Sequence, residues 1–480
     1  MKRTSGPAAS RAWLAPAVVL LWAATWLLWH GLGAPDFWSD EAYSLYHFRA
    51  GGLGEALVSM QRNETMPPLY FLLLRAWTTL GRQEFYARAL GALGAVISVA
   101  AALRLGRMAG GPASGLLAAG CLALSYEGLF IARQIRPYGL ALALVTLQLR
   151  AALQVWRRGR KRDWAGWALT SMLGIHTLYQ VGLTVIATGL ALTVLAWRRR
   201  AWRPWLAAGA AIAAGCLPLV PFLAAQLSWA GPTMQFIPPL SVRYVVEALD
   251  TLTLGVELRG WPRPLMLTLL PVEVVLLLVG SYAAVKRGPL ARLLALAFWL
   301  PLAVGLALSV QRPFFYARYM FMLIPPLAGL LSLAPQALPA GVARRGAQAA
   351  LGLVLAGSAL AGFQYGGVAW SAVAARVAEV AQPGDGLLFS PLYDRVPFEL
   401  RYAGPPLRLA GIEDYADYVP RPGTVLFQAT AADAQEAFGD APGFWLIWSG
   451  RYPVTTLPGW VARREEAVGG AHLLYFGRAP

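Results

Sequence analysis

Charge is what this sequence has least of. Asp, Glu, Lys and Arg make up 14% of its 480 residues, where an ordinary soluble chain carries about 25%, so its 57% hydrophobic residues cannot be covered by a solvated surface. A single soluble core is therefore excluded, as are the three soluble domains that the length would suggest at about 150 residues each. Cysteine is nearly absent. Cys121 and Cys216 both fall inside apolar runs, which excludes a disulfide framework, casts them as packing residues and leaves the redox compartment unread. There is no Cys/His spacing of a metal site, no P-loop, no GxGxxG after a strand and no internal repeat. Acidic residues number 24 against 41 Lys and Arg, a formal net charge of +17. So basic a chain could bind nucleic acid, but Lys and Arg stand in short clusters between apolar runs. That is the pattern of cytoplasmic loops under the positive-inside rule, so the partner is a lipid bilayer and not nucleic acid.

What is abundant fits a polytopic α-helical membrane protein. The mean hydropathy is +0.51, and 19 Trp, 34 Pro and 49 Gly suit kinked, closely packed helices anchored by aromatic rings at the headgroups. Apolar windows at 13–31, 84–103, 111–130, 138–155, 164–179, 181–197, 205–223, 264–284, 290–310, 318–334 and 346–365 predict about eleven transmembrane helices. With that count, every basic cluster lands on one face: Lys2/Arg3/Arg11, Arg104/Arg107, Arg157 to Arg162, Arg198 to Arg203, Lys286/Arg287/Arg292 and Arg344/Arg345. The expected orientation in the plasma (inner) membrane is then a cytoplasmic N-terminus and an extracytoplasmic C-terminus. The first run has a basic start but no small-x-small cleavage site, and reads as an uncleaved anchor.

Residues 1–366 thus form a transmembrane module with two long outside loops, 32–83 and 224–263. Residues 367–480 change character. Short apolar runs at 385–390, 424–429, 444–448 and 472–476, bounded by Gly and Pro, alternate with helical stretches at 370–381 and 430–438. They predict a small soluble extracytoplasmic α/β domain without a recognisable catalytic motif.

The candidate site residues are charged groups in places where charge is costly. In the first outside loop Asp40 and Glu41 stand side by side after Phe37-Trp38, where desolvation and a like-charged neighbour would tune one of them as a base. The same segment would also serve as an interfacial loop of solvated acids with an aromatic anchor. Glu64 and Tyr70 flank Met66-Pro67-Pro68, an extended stretch that could equally be a structural turn, and Arg88 follows near the start of the second span. Two further turns, Arg133-Gln134-Ile135-Arg136-Pro137-Tyr138 and Gln311-Arg312-Pro313 through Tyr316-Ala317-Arg318-Tyr319, put Arg on the outer face, where the topology rule least expects it. Framed by Tyr and Phe, such an Arg can grip a phosphate at the lipid surface. Headgroup anchoring accounts well for Arg312 and less easily for Arg136 and Arg318, each set against a helix start. His176 and Tyr179 lie where the fifth span reaches the outside; a lone His there is more often an interfacial hydrogen-bonding group. Glu273 is a carboxylate in an apolar run with no partner legible in the sequence.

Taken as a set, Trp38-Ser39-Asp40-Glu41-Ala42-Tyr43, Met66-Pro67-Pro68-Leu69-Tyr70, Gln134-Ile135-Arg136-Pro137-Tyr138 and Arg312-Pro313-x-x-Tyr316-Ala317-Arg318-Tyr319 resemble, in order and spacing, the GT-C superfamily of membrane glycosyltransferases. The nearest likeness is to bacterial relatives of the dolichyl-phosphate-mannose protein mannosyltransferases and the lipid A aminoarabinose transferase. It spans 13–365 and extends more loosely to the tail. The resemblance implies a hexosyl- or pentosyltransferase that moves a sugar from a polyprenyl-phosphate carrier to an acceptor of the cell envelope on the outer face, with inversion. By the same resemblance Asp40 is the catalytic base accompanied by Glu41, and Arg136 and Arg318 lie near the donor phosphate, with Tyr138, Tyr319 and Arg133 beside them. Glu64, Tyr70, Arg88, His176 and Tyr179 would line the site. The sequence departs from the pattern at Met66, where relatives carry His before Pro-Pro, so no metal role is carried over to that position. A divalent cation is left open, and nothing in the sequence indicates one.

The alternative from another class is a transporter or flippase of a lipid-linked or anionic substrate, also a polytopic bundle with Arg at its mouth. Transporters place charged or broken-helix sites near the midplane and often show two related halves; paired acids and arginines on one face favour a reaction there. A non-catalytic scaffold would leave Asp40 replaceable.

Overall fold

A computed structural model describes residues 13–49, 51–81, 83–229, 237–255, 263–311, 314–360, 367–412, 428–450 and 457–479. The expected cluster Lys2/Arg3/Arg11, the pair Arg312-Pro313, much of the apolar run 424–429 and parts of the loop 224–263 lie outside the described residues. The chain opens with helix α1 (Leu14–Trp29) and then a helical loop: α2 (Ser39–Tyr46), α3 (Leu53–Asn63) and α4 (Leu69–Trp77). The bundle continues through α5 (Glu84–Gly110), α6 (Pro112–Leu124), α7 (Tyr126–Ala132), α8 (Tyr138–Arg158), α9 (Lys161–Thr177), α10 (Val181–Arg199), α11 (Trp202–Cys216) and α12 (Val220–Trp229). After α13 (Val242–Thr251) come α14 (Arg263–Arg287), α15 (Pro289–Gln311), a 3-10 stretch (Ala317–Leu323) leading into α16 (Ile324–Leu333), and α17 (Val342–Leu360).

Every apolar window, as far as its residues are described, falls on a helix or a helix pair; 361–365 lie outside the described residues. Seven helical stretches among the described residues are long and apolar enough to cross a bilayer, or eight if the bent pair α6 and α7 counts as one. The chain is an integral membrane protein. Eleven windows thus find helices in place, while α1, at 16 residues, is among those too short for that criterion. Large apolar side chains on the bundle exterior, such as Val19, Trp22 and Trp26 on α1 and Trp197 on α10, are exposed because lipid is their solvent.

Among the described residues, members of two of the expected basic clusters meet partners at helix ends. Arg107 stacks over Trp13 at 3.6 Å, and Arg287 donates to Gln336 (3.2 Å), which in turn donates to Ser114 (3.3 Å). One end of the bundle carries the 32–83 loop, the turn 133–137 and the 3-10 stretch.

Close helix packing is built on glycine. A side chain at Gly139 of α8 would meet the Gly91 carbonyl oxygen of α5 at 2.5 Å, and one at Gly94 would meet the Gly139 carbonyl at 2.6 Å. Backbone therefore touches backbone where α5 crosses α8, the small-residue packing of membrane helices. This crossing fixes the spacing between Arg88 on α5 and the turn before α8.

Between α6 and α7 the chain bends by 60°. Ser125 restarts the helix by accepting from the Gly128 amide at 3.0 Å, and its hydroxyl donates to the Leu252 carbonyl at 2.8 Å. The Tyr126 amide donates to the Thr253 carbonyl, also at 2.8 Å. The end of α13 thus satisfies backbone groups that a break inside the bundle would leave bare.

The tail domain comprises α18 (Trp370–Val380), β1 (Gly386–Ser390), α19 (Arg395–Glu399), β2 (Arg408–Ala410), α20 (Ala431–Phe438), β3 (Gly443–Trp448), β4 (Trp460–Val468) and β5 (Ala471–Arg478). The sheet order is β2-β1-β3-β5-β4, with β1 parallel to β2 and β3, and β5 antiparallel to β3 and β4. Leu387, Phe389, Trp445 and Ile447 pack on one face with Trp370 and Val377 of α18; Leu388, Phe444 and Leu446 pack on the other with Ala434 and Phe438 of α20. Covered on both faces, β1 and β3 read as continuous apolar runs rather than alternating ones.

Replacing Gly139 by Val should cost about 1–3 kcal/mol or more through overpacking, seen as a lower melting temperature and loss of monodisperse protein in detergent. Gly166→Ala on α9, where an added methyl meets nothing within 4 Å, should leave both unchanged or slightly improved.

Candidate active site

Helix α2 begins with acids in its first turn, Asp40 and Glu41, where the helix dipole favours negative charge. Glu41 faces inward and is completely buried. Its Oε1 accepts from Arg88 Nε at 2.8 Å and from the Ile135 amide at 3.0 Å; its Oε2 accepts from Arg88 Nη2 at 2.6 Å and from the Trp38 amide at 3.3 Å. The remaining Arg88 protons go to the carbonyls of Leu32, Pro35 and Asp36 at 2.8–3.0 Å. One fork–fork pair therefore ties α2, the lead-in 32–38, α5 and the turn 133–137 into a unit.

A second buried pair lies beside it. Arg136 Nη1 donates to Glu64 at 2.9 Å, and to the Asp40 carbonyl and Ser44 hydroxyl at 3.2 Å each. His47, also buried, has Nε2 3.5 Å from Glu64 and Nδ1 2.9 Å from the Ser59 hydroxyl. Burial works to raise the Glu64 carboxyl, but Arg136 and His47 outweigh it and hold Glu64 below its ordinary range. Tyr70 is buried in the electrostatic reach of Arg136, Glu41 and Glu64, and burial raises its phenol.

Asp40 differs from both acids. Its side chain is 41% exposed, and its Oδ2 accepts from Arg318 Nη1 at 3.0 Å. Arg318 lies against the neighbouring rings of Trp38 and Phe130, 5.1 Å from each centroid, with Nε 3.9 Å from the buried Glu127 carboxylate. Tyr138 and Tyr319 stand in the electrostatic reach of Asp40, Arg318 and Arg136. On the solvent side, Ser39 donates to Asp394 of the tail domain at 2.6 Å.

The structure thus brings together Asp40, Glu41, Glu64, Tyr70, Arg88, Arg136, Tyr138, Arg318 and Tyr319. It does not bring Arg133 or His176 to them. Arg133 donates to the Leu27 carbonyl of α1 at 2.7 Å, and His176 Nε2 lies 2.8 Å from the Gly215 carbonyl on α11. Tyr179 reaches the rim indirectly: its hydroxyl donates to Gln226 at 2.9 Å, and Gln226 donates to the Met66 carbonyl at 3.0 Å. Glu273 finds Thr253 as its hydrogen-bond donor at 2.9 Å and borders an apolar cavity of about 230 Å³ among α6, α14, α16 and α17, roofed by Leu252 and Leu254. Sequence reasoning missed Glu127, His47 and Asp394. The signal for Glu127 was present, since it is a carboxylate inside an apolar window like Glu273; His47 and Asp394 have no local signal. No group of three or more His, Cys, Asp or Glu able to hold a metal ion occurs among the described residues.

Among solved structures, the chain is similar to the crystal structure of ArnT from Cupriavidus metallidurans in the apo state, with a TM-score of 0.61 and 14% identity over 97% of this chain and 98% of that one. The same protein bound to undecaprenyl phosphate gives a TM-score of 0.59 at 15% identity over 98% of each chain. The Archaeoglobus fulgidus oligosaccharyltransferase, in a complex with Zn and sulfate, gives 0.54 at 12% identity over 90% of this chain and 68% of that one. No family model and no curated protein matches. The likeness at these identities is one of fold, and it is the GT-C fold that the motif set resembles.

Truncating Arg88 to Ala should strand a buried carboxylate and destabilise the protein by about 3–5 kcal/mol, measured as detergent-solubilised thermal stability. The isosteric Glu41→Gln, which leaves Arg88 charged and unpaired, should also destabilise, and combining the two should be less than additive.

Proposed function

We propose that this protein is a glycosyltransferase that takes a sugar from a polyprenyl-phosphate carrier and transfers it, with inversion, to an acceptor hydroxyl at the extracytoplasmic face of the membrane. The observation that carries this reading is the pairing of Asp40, the one half-exposed acid of the cluster, with Arg318, an arginine set against two aromatic rings at the same end of the bundle. In the reaction the acceptor oxygen attacks the anomeric carbon and its proton passes to Asp40. The bond from that carbon to the phosphate oxygen breaks, and its electron pair leaves with polyprenyl phosphate. A positioned carboxylate contributes about 10² to 10⁴ in rate, and Arg318 opposes the charge that develops on the leaving phosphate.

In this reading Arg318 exchanges partners. It holds Asp40 in the resting protein; a donor phosphate competes for its guanidinium and releases Asp40 to take a proton. Glu41 has both carboxylate oxygens, and Arg136 both terminal nitrogens, engaged by neighbours in the protein, so their part is to hold α2 and the 64–66 segment rather than to meet substrate. The apolar cavity beside Leu252 and Leu254 has the chemistry to receive part of an isoprenoid tail. The transporter alternative is less well supported because, Glu273 apart, the charged groups described above gather at the helix ends rather than at mid-depth.

Asp40→Asn should lower turnover about 100-fold or more while keeping affinity for undecaprenyl phosphate; unchanged turnover would remove Asp40 as the base. Native mass spectrometry of that variant, released gently from its own membrane, should find a retained polyprenyl-phosphate sugar and identify the sugar by mass. Only bulk phospholipid, with no binding of added undecaprenyl phosphate, would return the transporter reading. Arg318→Ala should weaken undecaprenyl phosphate binding, by tenfold or so for the loss of one charge-assisted contact. Arg136→Ala should instead act mainly on stability, read in the same binding and melting measurements.

A further inference from the structure

The helix that carries Asp40 is only eight residues long, too short to hold its own conformation or direction in isolation. One of its faces is fixed to the bundle through Glu41 and Arg88. Its opposite face is fixed by the tail domain. Asp394 is 3% exposed; its Oδ1 accepts from the Ser39 hydroxyl at 2.6 Å, and its Oδ2 accepts from the Ser449 hydroxyl. Around this contact Ala42 and Tyr43 are buried against Val396, with Tyr46, Tyr393 and Leu400 beside them. The Tyr43 hydroxyl donates to the Ile412 carbonyl at 3.1 Å. At the lead-in to α2, the Asp36 carboxylate accepts from the Ser371 amide at 2.8 Å and from its hydroxyl at 2.6 Å.

The place of Asp394 in the sheet makes this contact more than incidental packing. Asp394 follows β1, and Ser449 follows β3, so both stand at the carboxyl ends of adjacent parallel strands. The chain leaves β1 for β2 on one side, while β3 lies on the other. That is the switch point at which an open α/β sheet offers its ligand-binding crevice. In this protein the crevice takes hold of Ser39, the residue before Asp40.

We infer that Asp394 is a positioning residue of the active site: clasped between Ser449 and Ser39, it sets the rotation of α2 and thereby the placement of the Asp40 carboxylate opposite Arg318. The inference rests on the proposed role of Asp40 as base and gives the tail domain a part in the same reaction. Ser39 and Asp40 are consecutive on one helix, so a hydrogen bond that fixes the first fixes the direction of the second. A misplacement of about 1 Å in a catalytic group can cost about 100-fold in rate.

The test uses the full chain in nanodiscs, with Ser39→Ala, Asp394→Ala, the double variant and Asp394→Asn. Two measurements are made: hydrogen exchange of the α2 amides, and turnover of the lipid-linked sugar retained by the protein, with undecaprenyl phosphate as the binding probe. Ser39→Ala and Asp394→Ala should each speed exchange in α2 and lower kcat by about tenfold to 100-fold, with affinity for undecaprenyl phosphate within about twofold of wild type. The double variant should be no worse than Asp394→Ala alone. Asp394→Asn, which keeps an acceptor oxygen for Ser39, should recover most of the loss, a rescue that a general loss of folding would not show.

Wild-type exchange in α2 for both single variants would overturn the inference whatever the donor proves to be. So would a loss in Asp394→Ala that Ser39→Ala does not share, because Asp394 would then act only within its own domain. Asp40→Asn run in parallel separates the two claims. If it keeps full turnover, the base assignment fails; if it is inactive while Ser39→Ala and Asp394→Ala turn over normally, only the positioning role fails.

Discussion

The site depends on the burial of one ion pair. Glu41 and Arg88 are both withdrawn from solvent, and several kcal/mol per ion would oppose this if either charge were left unmatched. They are matched fully: four hydrogen bonds converge on the carboxylate, and three backbone carbonyls take the other guanidinium protons. Because those partners come from four separate stretches of chain, the pair can form only when the lead-in 32–38, α2, α5 and the turn before α8 are all in place. A short polar loop thereby acquires the rigidity of the helices beneath it. Asp40, one residue away, inherits a position it could not hold alone.

The three acids of the cluster are graded by exposure, and the grading separates structural from exchangeable pairs. Glu41 and Glu64 are buried, each held by an arginine and additional donors. Taking either apart would strand a charge in a medium of low dielectric, so these contacts persist. In the Asp40 pair with Arg318 the carboxylate is 41% exposed, so water can take over its charge as it cannot for Glu41 or Glu64. Arg318 can therefore turn to an anionic ligand without leaving a buried carboxylate unmatched. Under the proposed reading, reactivity resides where the electrostatic commitment is weakest, supported by neighbours whose commitment is strongest.

Much of this was legible in the sequence, for identifiable reasons. An apolar run of about 20 residues matches the hydrocarbon thickness of a bilayer only as a helix, which is why each window met one. Arg136 and Arg318 stood out because basic charge on the outer face goes against the positive-inside rule, and Asp40 because it stands beside a second acid next to Phe37 and Trp38. Partners were not legible. That Arg88 serves Glu41, that Glu64 serves Arg136, and that Arg133 turns away to α1 are consequences of tertiary geometry that spacing does not encode. Strand β4 escaped notice because its central residues, Arg463 to Glu466, are charged, as suits a sheet edge guarded against further pairing. Asp394 reads as an ordinary turn residue until the tail domain is set against α2.

The end of the bundle that holds the site is also where its helices are least regular. The chain bends between α6 and α7, runs as a 3-10 helix before α16, and crosses the outer loop on helices of a few turns. In hydrocarbon such backbone is tolerated only where its polar groups find partners, and here they do, through Ser125, Leu252 and Thr253. The breaks have a second consequence. A continuous helix would carry the charges of Glu127 and Arg318 in an apolar wall, whereas a helix start or a 3-10 turn lets them meet one another and Asp40 at one level. Irregular backbone and charged side chains therefore require each other at this end, and the tail domain seated on α2 closes the arrangement from the solvent side.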